Sequence, residues 1–175
     1  MAGRFTCRKL PQNRCSREAN LAKLGMALIA LQIFHVLFLL LHDWTPLGRL
    51  NDIAAVRREN SLRFMVIGTL VSTAPFAVGM VLTGMSLDHP FSRFLLTWLW
   101  VSYLWLFVGE LEAWWIPYFF IDQPKRAARY AAMFGNTHAF LPARNGIRPN
   151  TLHVILHAGT LATLILPGIY SFRPG

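Results

Sequence analysis

Residues 63–86 read RFMVIGTLVSTAPFAVGMVLTGMS, with no charge after Arg63 and a proline, Pro75, in the middle. A helix needs about 20 mostly apolar residues to cross a bilayer, and this stretch is too long and too apolar for an ordinary surface helix. Pro75 should kink it, which membrane helices tolerate when neighbours satisfy the freed carbonyl. Three further runs have the same character. Residues 21–42 (LAKLGMALIALQIFHVLFLLLH) carry only Lys23, Gln32 and His35 as strongly polar interruptions before His42. Residues 93–121 are rich in aromatics, with Trp98, Trp105, Trp114 and Trp115 toward two interfacial belts. Residues 151–170 follow Asn150, a residue suited to capping. The pattern predicts an all-α integral membrane protein, a four-helix bundle with helices over about 21–42, 63–86, 93–121 and 151–170.

Composition agrees with lipid as the solvent. Of 175 residues, 54% are hydrophobic and 14% charged, where a soluble domain carries about a quarter charged residues. Mean hydropathy is +0.40. Little apolar sequence is left for a second core, so residues 21–175 form one transmembrane domain behind a basic tail, residues 1–20. The tail's Arg4, Arg8, Lys9, Arg14 and Arg17 precede an apolar run of spanning length, followed by His42-Asp43-Trp44-Thr45-Pro46 with no small-residue cleavage site. That predicts an uncleaved first helix.

The net charge of +9 lies in the tail and in loops flanking apolar runs, where Lys and Arg meet lipid headgroups. No patterned basic face points to nucleic acid; the partners implied are membrane lipids, with a homo-oligomer or a larger membrane complex open. Cys7 and Cys15, both in the tail, form neither a zinc pattern nor a disulfide framework.

Lys plus Arg number eight for the tail with Lys23, Arg93 and the C-terminus, against nine for the two long connections with Arg63. The balance does not set topology. The basic flank of the first helix favours both termini in the cytoplasm, in a bacterial inner membrane.

The connections are unequal, and the two long ones lie on one side. Within the longer, PKRAARYAAMF (124–134) has proline at the first helical position and Gly135 just past the end, an amphipathic interfacial helix. The remainder, GNTHAFLPARNGIRPN, is turn-rich and reads as a lid over the helix ends. Residues 52–59 suggest a further turn or two of helix capped by Asn51. Pro117 marks a kink or the end of the third regular helix.

Ionisable groups inside a spanning helix are costly and usually face the bundle interior. His35, Glu110 and His157 come from three helices, yet each lies about 10 Å inside the same membrane face at the rise of an α-helix. His42, Asp43, His138 and His153 lie nearer that surface. His153 and His157 stack one turn apart on a face that continues to Thr160 or Leu161. Glu110 shares a stripe with Tyr103, Phe107 and Trp114, whereas Glu112 points about 200° away and is left to pair elsewhere, with an arginine of the long loop.

Two imidazoles one turn apart plus a carboxylate from a facing helix can ligate an ion. His153, His157, Glu110 and His35 are therefore candidate metal ligands. His35 with one of the later histidines could bind haem, and His35, His153 and His157 are the cofactor-binding candidates. Glu110 and His157 are the candidate catalytic acid/base pair, and His138 a lesser candidate. The same residues can also serve as polar glue that fixes helix register. Gly68-x-x-x-Ser72 and Gly159-x-x-x-Thr163 read as close-packing pairs.

Three functions remain open. The first is a buried His/Glu site that binds a metal, haem or a small lipophilic molecule for redox or proton-transfer chemistry. The second is a non-catalytic membrane subunit or accessory protein, and the third a small transporter acting as an oligomer.

Overall fold

The computed structural model describes the backbone of residues 12–171 and the side chains of residues 20–171. The expectations for Cys7, the Cys15 side chain and most of the basic tail lie outside the described residues.

The architecture is all-α. Helix α1 spans Gln12–Leu41, α2 Ile53–Glu59, α3 Leu62–Met85, α4 Arg93–Glu110, α5 Ile116–Phe119, α6 Pro124–Phe134 and α7 Thr151–Ser171. Among the described residues four helices are long and apolar enough to cross a membrane: Asn20–Leu41, Leu62–Met85, Arg93–Phe119 and Thr151–Ser171. α1 packs on α3 and α7, and α7 packs on α4, so a four-helix ring closes through a looser α3–α4 contact. The core between them holds Leu28, Leu39, Phe76, Leu95, Leu99, Tyr103 and Leu164. The outer faces carry exposed Leu70, Val78, Val101 and Ile165, as a lipid-facing surface requires.

The third span is continuous but not uniform. Leu111–Trp115 winds as a π-helix, with the Ile116 N–H reaching the Leu111 carbonyl. Pro117 explains both this turn and what docks on it. It lacks the N–H that an α-helix would aim at the Ala113 carbonyl and a π-helix at that of Glu112. α6 supplies the missing donors, Arg126 to both carbonyls and the Tyr130 hydroxyl to Ala113 at 3.1 Å. Burial pushes the Tyr130 phenol above its ordinary value, opposed by Arg126 and Arg129, so it stays a neutral donor. Here the structure corrects one expectation: the loop arginine engages the Glu112 backbone oxygen and not its carboxylate.

α6 has the bounds that proline and glycine predict. Its apolar face, Ala127, Tyr130, Met133 and Phe134, is covered by Trp114, Ile147, Val56 and Met65. α2 is capped by Asp52, whose side chain accepts from Ala55 N–H, not by Asn51. Asn51 instead gathers the preceding turn, donating to the carbonyls of His42 and Thr45 and accepting from Leu47 N–H.

The rest of the long connection folds back through a tight turn at Asn145-Gly146, both at positive φ (49° and 70°), a geometry Asn-Gly adopts at low cost. Asn145 caps the carbonyls of Pro117 and Tyr118. His138 joins the two long connections: its N–H reaches the Arg49 carbonyl and its own carbonyl accepts from Thr151 N–H. Its Nδ1 lies 2.7 Å from the Thr151 hydroxyl.

Candidate functional site

α1 and α7 approach closely because Gly159 has no side chain. A Cβ there would lie 2.8 Å from the Phe34 ring and 3.4 Å from the His35 ring. The approach brings His35 Nε2 to 3.2 Å from Thr160 Oγ1. On its other side Thr160 Oγ1 lies 2.7 Å from Glu110 Oε1. One hydroxyl thus joins an imidazole from α1 and a carboxyl from α4 across α7, and all three side chains are buried. His35 Nδ1 is 2.7 Å from the Leu31 carbonyl. A carbonyl only accepts, so Nδ1 carries the proton and Nε2 is the acceptor of a neutral ring.

The second carboxyl oxygen differs. Glu110 Oε2 is buried with no hydrogen-bond partner, although the residue is only 5% exposed. A buried unpartnered polar atom costs about 1–3 kcal/mol. Glu110 lines a groove of about 700 Å³ between α3 and α4, bounded by Val71, Pro75, Phe76, Val101, Leu106 and Leu156 and closed at its inner end by Trp114, His153 and His157. The rim residues Val71, Val101 and Trp105, the last 82% exposed, stand on the lipid-facing sides of their helices. The groove therefore opens sideways, toward hydrocarbon. Trp98 Nε1 donates to the Pro75 carbonyl at 2.9 Å, pinning the two helices while leaving the space beside it.

The histidines of α7 stand at the inner end. His157 Nδ1 accepts from Trp115 Nε1 at 3.0 Å, so the proton of a neutral ring sits on Nε2. His153 Nδ1 is held by Asn150 Oδ1 at 2.6 Å, and the same oxygen caps α7 through His153 N–H. The His153 ring packs between Trp114 and Phe134, and the His42 ring meets its edge.

Of the four residues selected from sequence, Glu110, His153 and His157 line one groove. His35 stands behind it, reached through Thr160. Among the described residues no group of three or more His, Cys, Asp or Glu side chains is placed to hold a metal ion. His138 sits on the outer connection, away from the groove lining.

Two participants escaped the sequence reading. Thr160 was visible only as the continuation of the His153/His157 face, and Trp115 only as an interfacial aromatic. Nothing in their spacing announces these contacts, because they depend on how near α1, α4 and the π turn come to α7. Gly68 and Ser72 are also placed differently from expectation. Both line the groove, and a Cβ at Gly68 meets nothing within 4 Å, so this pair marks an opening and not a close contact.

Comparison of the chain with protein-family models, with curated proteins and with solved structures gives no match. The functional reading therefore stands on the site alone.

Proposed function

We propose that this membrane protein takes a small lipophilic molecule from the bilayer into the α3–α4 groove and holds its polar head at Glu110 and His157. The observation that carries the reading is the Glu110 carboxyl: its residue lines an apolar groove of ligand size, with one oxygen anchored by Thr160 and the other buried without a partner. A molecule ending in a hydroxyl satisfies that oxygen while its chain fills the groove. A bound molecule is favoured over a metal or haem because His35 already has partners at both ring nitrogens, and among the described residues no group of three His, Cys, Asp or Glu side chains is placed to hold an ion. The same reading keeps both termini in the cytoplasm of a bacterial inner membrane, on the strength of the basic first flank, with the groove's inner end toward the opposite face.

The alternative, a non-catalytic subunit held together by buried polar contacts, draws on the Thr160 bridge and on Gln32 donating to Thr83 at 3.0 Å. It gives no role to the lateral groove.

Gly109 supplies the test. It lines the groove, and a Cβ there meets nothing within 4 Å, so Gly109→Phe starts from an uncrowded position from which its ring can occupy the groove. Trp98, Trp105 and Trp114 report occupancy. A brominated alkylphenol is expected to quench their fluorescence saturably in the wild type and at least about ten-fold more weakly in Gly109→Phe, a loss of about 1.4 kcal/mol. Quenching that is linear in probe and equal in the two proteins would sink the reading.

A further inference from the structure

We infer that Glu110, Thr160 and His35 form a proton relay that accepts the hydroxyl proton of a phenol-headed lipophilic molecule bound in the groove. The inference rests on the groove reading above and adds the chemistry that the three side chains perform together.

The contacts admit two proton arrangements in which each of them is a hydrogen bond. In the first, His35 is neutral, its Nδ1–H donates to Leu31 and its Nε2 accepts from Thr160. The Thr160 hydroxyl has one hydrogen, so in this arrangement it accepts from a Glu110 carboxyl protonated on Oε1, across a contact of 2.7 Å. Moving one proton across each contact gives a second arrangement with a Glu110 carboxylate and a His35 imidazolium, Thr160 now donating to Glu110 and accepting from Nε2. Both arrangements satisfy every contact, and both carry zero net charge, which matters where an isolated charge is costly. Among the described residues the Leu156 carbonyl, 3.1 Å from Thr160 Oγ1, competes as an acceptor for that hydrogen.

In both arrangements Oε2 is an acceptor without a partner, on a residue that lines the groove. This selects a ligand that donates: a hydroxyl, and not a ketone or an ether. The transfer balances in three moves. The ligand O–H bond breaks as Oε2–H forms. The Oε1 proton passes to Thr160 Oγ1, and the original Thr160 proton passes to His35 Nε2. The products are a ligand phenolate, a neutral Glu110 and a His35 imidazolium, so the positive charge gained by the side chains balances the phenolate. The new cation lies off the groove, among the rings of Phe34, Phe76 and Tyr103, separated from the ligand. Phenols, quinols among them, are the lipophilic hydroxyl compounds acidic enough for the step.

A 4-nitrophenol bearing a long alkyl chain tests this directly, because its phenolate absorbs at longer wavelength than the phenol. The measurement is made with full-length protein in detergent, at a pH where the free probe is protonated. Binding is followed separately by quenching of the groove tryptophans. The expected result is a phenolate band from bound probe in the wild type, reduced at least about ten-fold in Glu110→Gln and in Thr160→Val and recovered in Thr160→Ser. Glu110→Gln can still donate to Thr160 through its amide and accept from the probe through its carbonyl, so it should retain binding while losing proton uptake.

Bound probe with no phenolate band in the wild type, or with the same band in all four proteins, would overturn the relay and leave the groove reading standing. Absence of saturable quenching in the wild type would overturn both.

Discussion

The α1–α7 seam and the α3–α4 seam use similar materials and come out opposite. Each contains a small residue within a small-xxx-small pair, Gly159 with Thr163 and Gly68 with Ser72. At Gly159 the missing side chain is filled by the Phe34 and His35 rings. At Gly68, and at Gly109 across from it, the missing side chains are filled by nothing, and a groove results. A glycine permits close approach; the opposing residue decides whether it happens. At α1–α7 that neighbour is a histidine that gains a hydrogen bond by moving in. At α3–α4, Trp98 meets the Pro75 carbonyl through its long indole and the remaining space is left open.

The contrast breaks most severely at Gly159. Gly159→Leu places side-chain atoms where Phe34 already stands, so overpacking should cost about 3 kcal/mol or more and separate His35 from Thr160. Loss of folded protein in detergent, read by thermal unfolding, is the expected outcome; a near-normal melting temperature would show that the seam is not tight. Next in size is Thr160→Val, which keeps the shape but leaves Glu110 Oε1 and His35 Nε2 without a partner, at about 1–3 kcal/mol. Thr160→Ser should recover most of that loss in the same measurement. The smallest effect lies on the open side, and it has the opposite sign. Gly109→Ala adds a methyl group to empty space within a helix and should raise stability by up to about 1 kcal/mol. A loss instead would mean that another helix or molecule closes on that face.

α6 offers a sharper version of the same lesson. Arg126→Ala removes the donor that replaces the N–H Pro117 lacks, so the π turn and α6 should loosen together by about 1–2 kcal/mol. Faster proteolytic cleavage within 120–135 would register it. Unchanged cleavage would show that the Tyr130 hydroxyl and the apolar packing hold α6 without Arg126.

The sequence by itself determined the four spans, the bounds of α6 and the capping of α7 by Asn150. These follow from continuous apolar length, from proline and glycine at fixed helix positions, and from the short reach of a side chain to its own backbone. Helix direction and rise also placed Glu110 and His35 at a common depth. Tertiary structure decided what sequence spacing cannot contain: that Thr160 joins them, that Arg126 takes the Glu112 carbonyl and not its carboxylate, that Asp52 caps α2 in place of Asn51, and that one glycine seam closes while the other stays open. Each of these depends on the distance and rotation between separate helices. Those are fixed by which side chains fill the space between them, and no single segment carries that information.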